Sequence, residues 1–326
     1  MIPASVDKAK ILTARIPAAY AGRRLDQALA ALFPDITRTQ LQQWIEAGLI
    51  AIDRRRPRKR DKVSGGETVE IALPAPRQSD SLPEAIPLDI VHEDDELLVV
   101  NKPPGLVVHP GAGNREHTLL NALLHHHPPA AQLPRAGIVH RLDKDTSGLL
   151  VVAKTERTRQ RLIRALQKRM VEREYVAIVH GVLVAGGSID APIGRHARDR
   201  LRMAVTESGK PAATQYRVLK RYRAHTLLQL KLESGRMHQI RVHMAHLHYP
   251  IVGDPIYGGR LRLPKGADER LTEALRGFKR QALHAAKLAL AHPVSGERMQ
   301  WAASVPPDMG ALMEALAGDA HAHDRP

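Results

Sequence analysis

Residues 137–154 constrain the fold of this chain most strongly, because two apolar runs in this stretch flank a short charged turn. The first run, residues 138–139, predicts a strand that enters the turn, and the second, residues 149–153, predicts a buried strand that leaves it. A Ser-Gly pair at 147–148 supplies the turn residues between them. The stretch therefore predicts a polar loop held between two elements of a sheet.

The turn contains Asp143 between two cations, Arg141 and Lys144. Positive neighbours favour the charged form of a carboxylate, so Asp143 should stay ionised at neutral pH. An ionised carboxylate on a rigid loop is a candidate nucleophile or base. A lone aspartate in such a turn is more often half of a surface ion pair, so the rest of the chain has to decide between the two interpretations.

Composition limits the class of protein. The chain has 326 residues, of which 43% are hydrophobic and 25% charged, and this predicts a soluble globular protein large enough for two domains. It has no cysteine, which excludes disulfides and thiol catalysis and fits a reducing compartment. The first ten residues lack the apolar core of a secretory signal, and no window approaches the roughly 18 apolar residues of a membrane span. We expect a cytoplasmic protein.

The formal net charge of +15 predicts a polyanionic partner. An anionic membrane surface would call for a basic amphipathic helix with a bulky apolar face. The sequence shows no such helix as clearly as it shows a basic loop in its first quarter. Nucleic acid is therefore the expected partner, and no membrane contact is expected.

Residues 23–73 form a predicted small module with two short helices, a small sheet and the basic loop 54–60. A charged run is usually a solvated face. Here the frame resembles an S4 RNA-binding domain, of which the opening Arg24-Leu25-Asp26 and the later Gly65-Gly66-Glu67 are typical. The resemblance implies that the loop contacts RNA, and its many cations would raise phosphate affinity without adding base readout. The RNA-binding candidates in it are Arg54, Arg55, Arg56, Arg58, Lys59 and Arg60.

Proline and serine in residues 74–88 predict a semi-extended linker. Residues 1–22 then form an N-terminal extension, residues 89–307 a larger domain, and residues 308–326 a C-terminal tail with one short helix at most. Strands in the larger domain come in runs instead of alternating regularly with helices. This predicts an α+β fold with a mainly antiparallel mixed sheet.

The larger domain contains a set of motifs that resembles the RluA-type pseudouridine synthases. The motifs are Asn101-Lys-Pro-Pro-Gly105 with Val108-His109-Pro110, His140-Arg-Leu-Asp-Lys-Asp-Thr-Ser-Gly148, Glu172-Arg-Glu-Tyr175, Gly235-Arg-Met-His-Gln-Ile-Arg241-Val-His243 and Gly253-Asp-Pro-Ile-Tyr257-Gly-Gly. Together with the S4-like module, their order and spacing hold over residues 23–307.

The resemblance implies the pseudouridine synthase fold and the isomerisation of uridine to pseudouridine in RNA. In that reaction the N-glycosidic bond breaks, the uracil rotates, and the base is rejoined through C5. No redox or hydrolytic step occurs, so no cofactor and no metal are required. The implied partner is 23S ribosomal RNA, in a stem-loop near the intersubunit bridge, or a precursor of the large ribosomal subunit. We expect a monomer.

The resemblance also implies roles for three catalytic residues. Asp143 matches the family's catalytic aspartate, which either attacks C1′ or removes a proton from C2′ to give a glycal. Arg241 matches the arginine that pairs with this aspartate and orients its oxygens. Tyr175 matches the tyrosine that stacks on the target base and serves in proton transfer at C5; without the family frame, a packed strand tyrosine would explain it equally well.

Four further residues are implied RNA contacts. Arg141 matches a side chain that fills the space vacated by the flipped base, because a guanidinium plane can stack there. Lys102, Arg236 and His238 are expected to meet phosphates or the flipped nucleotide. Asp145, two residues from Asp143, is expected to cap the turn instead.

Other functions remain open at this stage. The same chemistry could act on another ribosomal or transfer RNA site, or the chain could be a non-catalytic RNA-binding factor in ribosome assembly. The histidines between His238 and His248 suggest a metal-dependent hydrolase as a third class, although no acidic ligand or cysteine lies near them in sequence.

Overall fold

A computed structural model describes residues 11–33, 36, 38–73, 81–111, 113–199 and 202–323. The chain divides into two compact units, residues 1–78 and 79–326. The division falls inside the predicted linker 74–88, of which residues 74–80 lie outside the described residues. The end of this segment packs on the second unit, since Leu82 O accepts a hydrogen bond from Asn121 Nδ2 at 2.8 Å.

The first unit is a three-stranded antiparallel sheet with two helices. Its elements are β1 Ile11–Arg15, α1 Leu25–Leu32, α2 Arg38–Glu46, β2 Ile50–Ile52 and β3 Thr68–Ala72. The predicted extension 1–22 is wrong from residue 11 onward, because β1 pairs with β3 and Leu12 and Ala14 pack against the core of this unit. Residues 1–10 lie outside the described part of the chain.

Asp26 explains why the Arg24-Leu25-Asp26 sequence suits this unit. Its buried carboxylate accepts hydrogen bonds from Arg24, Arg38 and Gln42, so the start of α1 is tied to α2. Burial opposes the charge of this carboxylate, but the three hydrogen bonds outweigh burial and lower the pKa of Asp26 to about 2.

The second unit is built on a nine-stranded sheet with strand order β4-β5-β6-β13-β7-β12-β11-β8, to which β14 adds beside β13. Its strands are β4 Ile90–Glu93, β5 Leu97–Lys102, β6 Ser147–Ala153, β7 Glu172–His180, β8 Gly187–Asp190, β11 Ala213–Arg221, β12 His225–Leu232, β13 Leu283–Ala291 and β14 Arg298–Ala302, with β9 Ile193–Arg195 and β10 Met203–Val205 as a separate ribbon. Among these described strands only β6 and β13 pair in parallel. The predicted α+β class with a mainly antiparallel mixed sheet is confirmed.

Helices cover both faces of this sheet, which is why its central strands are apolar on both sides. The helices are α3 Leu119–His126, α4 Glu156–Gln167, α5 Gln239–His246, α6 Glu269–Gly277 and α7 Pro307–His323. Leu98 and Val100 of β5 face the main core, which also contains residues of α3, α6 and α7. Leu97 and Val99 point the opposite way and pack in the cluster that contains Leu162 of α4.

Two expectations about this unit are corrected. The predicted tail 308–326 is instead a long helix, because Met309, Leu312 and Leu316 repeat at helical spacing and bury one face in the main core. Residues 324–326 lie outside the described part. The strand predicted to enter the charged turn is reduced to one antiparallel bridge between Ile138 and Val152.

Gly148, the second residue of β6, should tolerate no side chain. Its φ is +111°, and an added Cβ would lie 2.6 Å from the backbone nitrogen of Ala285 on β13. We expect Gly148→Ala to lower the free energy of unfolding by about 1–2 kcal/mol for the backbone conformation and about 1–3 kcal/mol more for the overlap. Urea unfolding followed by Trp301 fluorescence in a Trp44→Phe background would measure the change in this unit.

Gly105→Ala is the matched control. Gly105 has a φ of +85°, but nothing lies within 4 Å of an added Cβ. Only the backbone penalty of about 1–2 kcal/mol should remain there. Equal losses in the two variants would contradict the close approach of β6 to β13.

Candidate active site

Lys102, at the end of β5, holds the backbone of the charged turn at Lys144. It is 1% exposed, and its Nζ donates to Pro103 O at 2.8 Å, Leu106 O at 2.9 Å and Lys144 O at 2.8 Å. Its predicted RNA contact is therefore wrong, because the three N–H bonds of the ammonium are all directed at backbone carbonyls. Burial lowers the pKa of Lys102 to about 7, against the opposing charges of nearby aspartates.

Two residues just before β13 hold the other end of the charged turn, at Asp145 and Thr146. Arg280 Nη1 donates to Asp145 O at 3.2 Å, and Gln281 Nε2 donates to Thr146 Oγ1 at 3.0 Å. Within the turn, Thr146 N donates to Asp143 O at 3.1 Å. The backbone from Asp143 to Thr146 is therefore fixed before any substrate binds.

Arg241, on α5, lies between two carboxylates. Its Nη1 donates to Asp143 Oδ2 at 3.0 Å, while Nε and Nη2 donate to the two oxygens of Asp254 at 2.7 and 2.8 Å. Burial disfavours the charge, but Asp254 and then Asp143 outweigh burial and raise the pKa of Arg241 above its ordinary value. The guanidinium stays charged and keeps one donor for Asp143.

Asp254 holds Arg241 in place and is itself held by backbone groups. Its side chain is fully buried, and Oδ1 also accepts the backbone N–H groups of Ile256 and Tyr257 at 2.9 and 3.0 Å. Burial raises its pKa, but the hydrogen bonds and charge of Arg241 outweigh burial and lower the pKa of Asp254. A carboxylate held this way orients the guanidinium by a bidentate contact.

His238 lies on the other side of Asp143. Its Nε2 is 3.9 Å from Asp143 Oδ1, and its Nδ1 is 2.9 Å from the hydroxyl of Tyr257. That hydroxyl accepts the N–H of Met203 at 2.8 Å and is free to donate its own proton to Nδ1. Burial lowers the pKa of His238, so the neutral ring would hold its proton on Nε2, towards Asp143.

These groups open into a cavity of about 560 Å³, a size that suits a small-molecule or nucleotide ligand. Tyr175 of β7 lines it at 5% exposure. Burial raises the pKa of its hydroxyl, the charge of Arg173 opposes this shift, and the charge of Asp143 adds to it. Apolar walls come from Ile138, Leu142, Ile240 and Leu283. The cationic lining consists of Arg135, Arg141, Arg169, Arg173, Arg236 and Arg241.

Most of the sequence-predicted residues thus meet at one place. Asp143, Tyr175, Arg241, Arg141, Arg236 and His238 all line this cavity. Arg141 and Arg236 are exposed there, and Arg236 Nε donates to Pro211 O at 3.1 Å. The basic loop 54–60 belongs to the first unit, where it connects β2 to β3; its Lys59 pairs with Glu46 at 2.5 Å.

Sequence reasoning missed four groups at this site. Asp254 and Tyr257 were in a quoted motif but received no role, because nothing in the sequence links them to a residue more than ten positions earlier. His140 and Arg173, which line the cavity, were likewise quoted in motifs without a predicted role. Their only sequence signal was membership of those motifs.

The histidines proposed as a metal site make other contacts. His243 Nδ1 is 2.9 Å from Thr214 Oγ1, and its Nε2 is 3.0 Å from Ala191 O. Among the described residues, no group of three or more histidine, aspartate or glutamate side chains is placed to hold a metal ion. No helix of this described part is long and apolar enough to cross a membrane.

Comparisons with known proteins agree with this geometry. The sequence profile of the RNA pseudouridylate synthase family matches residues 96–246, and that of the S4 domain matches residues 23–69. A Xanthomonas campestris pv. campestris protein called ribosomal large subunit pseudouridine synthase D is 55% identical over 304 residues, 93% of this chain and 92% of that one. The Haemophilus influenzae protein of that name is 54% identical over 309 residues, covering 94% and 95%. The solved structure of human RNA pseudouridylate synthase domain containing 4 covers 70% of this chain and 92% of its own, with a TM-score of 0.56 and 29% identity.

Lys102→Met tests whether this lysine supports the turn. Methionine keeps much of the volume but removes the donor of Pro103 O and Leu106 O, whereas Lys144 O keeps the N–H of Gly105 at 3.0 Å. The cost is up to about 1–3 kcal/mol for each group left unsatisfied. We expect a lower melting temperature and a strongly reduced catalytic rate, with RNA affinity largely kept. The control Lys144→Met removes an exposed cation of the same turn and should change stability little. A loss of RNA affinity alone in Lys102→Met would restore the RNA-contact interpretation.

Proposed function

The chain belongs to the RNA pseudouridine synthases, as its motifs predicted, and we propose that it converts specific uridines of 23S ribosomal RNA to pseudouridine. The relatives that match over nine-tenths of both chains are named as ribosomal large subunit enzymes. The S4 unit and the basic cavity are suited to such a polyanion. The single observation that best supports the chemistry is the Asp143 carboxylate, held 3.0 Å from Arg241 in a cavity that also contains Tyr175.

Asp143 is the proposed catalytic carboxylate. Its side chain is 18% exposed, so it can reach a ribose in the cavity while its backbone stays fixed. It either attacks C1′ as a nucleophile or removes a proton from C2′ to give a glycal. Both routes need an oriented carboxylate, and Arg241 orients Asp143 through its hydrogen bond.

Tyr175 is the proposed platform for the detached uracil. Its raised pKa keeps the phenol protonated in the free protein, so the ring can stack without placing a charge against the base. Proton transfer at C5 by this hydroxyl stays a prediction. The apolar side chains of the cavity exclude water, which would otherwise compete for C1′.

Arg141 is the proposed replacement for the flipped base. The base must leave its stack at a cost of a few kcal/mol, and an exposed guanidinium on a rigid turn can stack in the gap. Arg236 and His238, which line the cavity, are the proposed contacts of the flipped nucleotide or its phosphate. The loop 54–60 would bind phosphates elsewhere on the same RNA.

Cells that lack this protein should lose a small set of pseudouridines from 23S ribosomal RNA. Mapping of pseudouridine in their ribosomal and transfer RNA identifies the sites directly. Expression of the wild-type chain should restore these sites, and Asp143→Asn should not, because the amide can neither attack C1′ nor accept a proton. Purified Asp143→Asn should still bind the RNA with an affinity near that of the wild type.

Asp145→Asn is the matched control, since it neutralises a carboxylate two residues away. It should restore most of the modification. Restoration by Asp143→Asn would leave a non-catalytic assembly factor as the better interpretation. Loss of pseudouridine from a transfer RNA alone would keep the chemistry but replace the substrate.

The basic loop should govern the salt dependence of RNA binding. Each phosphate contact that is lost should reduce the slope of log affinity against log salt by about 0.7–0.9. We therefore expect Arg55→Gln with Arg60→Gln to weaken binding at low salt and to flatten this slope. Arg276→Gln, which removes an exposed cation of α6, should leave both unchanged. An unaltered slope in the double variant would contradict a role for the loop.

A further inference from the structure

Arg173 is a buried cation that lines the cavity and has no counterion among the described residues. It lies on β7, two residues before Tyr175, so both side chains project from the same face of the strand. It is 8% exposed and lines the cavity, and its buried Nε has no hydrogen-bond partner among the described residues. Arg241, the other buried guanidinium of this site, has two carboxylates.

The acidic neighbours of Arg173 are engaged on the opposite face of β7. Glu172 pairs with Lys231 at 3.3 Å and Arg298 at 2.7 Å, and Glu174 accepts a hydrogen bond from Gln229 at 2.6 Å. A charged group is rarely buried unless it is paired, because its desolvation is costly. A guanidinium in this position can therefore take its partner, a negative charge or a strong hydrogen-bond acceptor, from a substrate bound in the cavity.

His140 supplies a second donor of the same kind. Its Nε2 accepts the N–H of Val151 at 3.1 Å, so the proton of the neutral ring lies on Nδ1. Burial, with a smaller contribution from the charge of Arg173, lowers the pKa of His140 to about 3 and keeps the ring neutral. Nδ1 is buried and has no partner among the described residues. Arg173 Nε and His140 Nδ1 are thus buried donors of cavity-lining residues that have no acceptor among the described residues.

We propose that Arg173, assisted by His140, binds the carbonyl oxygens of the uracil and stabilises the negative charge that develops on this base as it leaves the ribose. The inference rests on the proposed function and adds a group that acts on the leaving base, where Asp143 and Arg241 act on the sugar. It makes Arg173 a catalytic residue in the strict sense, since its guanidinium touches the reacting base.

The electron balance of bond breakage requires such a group. When the N1–C1′ bond breaks, its electron pair stays on N1 and spreads to O2 and O4 of the uracil. At C1′, the Asp143 oxygen forms the new bond, or the C2′–H pair forms a C1′=C2′ double bond while Asp143 takes the proton. Both routes release the same uracil anion. When its C5 bonds to C1′, the bond from C1′ to the Asp143 oxygen breaks, or, from the glycal, Asp143 returns the proton to C2′. The base then loses the C5 proton and gains a proton at N1. Donors aimed at the developing charge accelerate such steps.

The depth of Arg173 favours the uracil over a phosphate. Phosphates stay on the RNA strand, where exposed cations such as Arg141 and Arg236 can meet them. Arg173 is nine-tenths buried and shares its strand face with the tyrosine proposed to stack the base. A flipped base reaches this depth more readily than the backbone from which it extends.

Arg173→Gln tests the proposal in the full chain, with an RNA segment around a uridine that deletion cells fail to modify. We expect the single-turnover rate to fall by about 10²–10³-fold, as for the loss of one donor to a developing anion. Arg173→Lys, which keeps the charge, should recover part of this rate. Melting temperatures of both variants should show that they fold.

RNA affinity separates the two possible ligands of this guanidinium. If Arg173 binds the base only during bond breakage, the dissociation constant and its salt dependence should stay close to those of the wild type. A weaker affinity with a flatter salt slope and an unchanged rate would identify a phosphate contact and overturn the proposal. Arg236→Gln serves as the phosphate-type control, and it should change the affinity and the slope.

A better leaving group provides the decisive comparison. Fluorine at C5 withdraws electrons, so the 5-fluorouracil anion needs less help from the protein than the uracil anion does. The rate at which the parent nucleotide is lost from 5-fluorouridine RNA should therefore differ between wild type and Arg173→Gln much less than with uridine RNA. A merely structural role would reduce both rates equally and would overturn the inference. A wild-type chain that forms no pseudouridine in any RNA would instead refute the proposed function itself.

Discussion

The position of Arg241 between Asp254 and Asp143 is the interaction on which the rest of this site depends. Two of its guanidinium nitrogens are bound by a fully buried carboxylate, which itself is held by backbone N–H groups, so only the third can turn to Asp143. A buried ion pair adds little to stability after desolvation. Its contribution here is orientation, because the Asp143 oxygen is held by a guanidinium that Asp254 already fixes through two hydrogen bonds.

The sheet determines the position of Asp143, which accepts the hydrogen bond from Arg241. Asp143 belongs to a turn whose backbone is bound by Lys102 on one side and by Arg280 on the other. The turn leads into β6, which lies close to β13 because Gly148 has no side chain. The carboxylate is therefore fixed by strands and their buried donors, and the flexible part of the substrate has to adapt to it. Fixed geometry of this kind lowers the entropic cost of the reaction.

The cations of this basic chain divide into buried and exposed sets with different physical tasks. Exposed arginines, such as those of the loop 54–60, are the proposed contacts of the RNA backbone. There they would act through a screened field and set affinity and salt dependence. Buried ones act at short range in a medium of low dielectric constant, where a single hydrogen bond has more effect. Lys102 and Arg241 donate their hydrogen bonds to groups of the protein itself, whereas Arg173 Nε has no partner among the described residues.

The sequence alone determined the fold class, the family and the group of residues around Asp143, because strand alternation, turn residues and motif spacing are local features of the chain. Adjacent charges alone were misleading, since they pointed to Arg141 and Lys144 as the partners of Asp143. The family resemblance named the distant Arg241 instead, and the hydrogen bond from Arg241 to Asp143 agrees with it. Lys102 was taken for an RNA contact although it is 1% exposed. Only the tertiary structure decides which cations are buried and which acceptors they meet, since burial and pairing depend on elements a hundred residues apart that the folded sheet brings together.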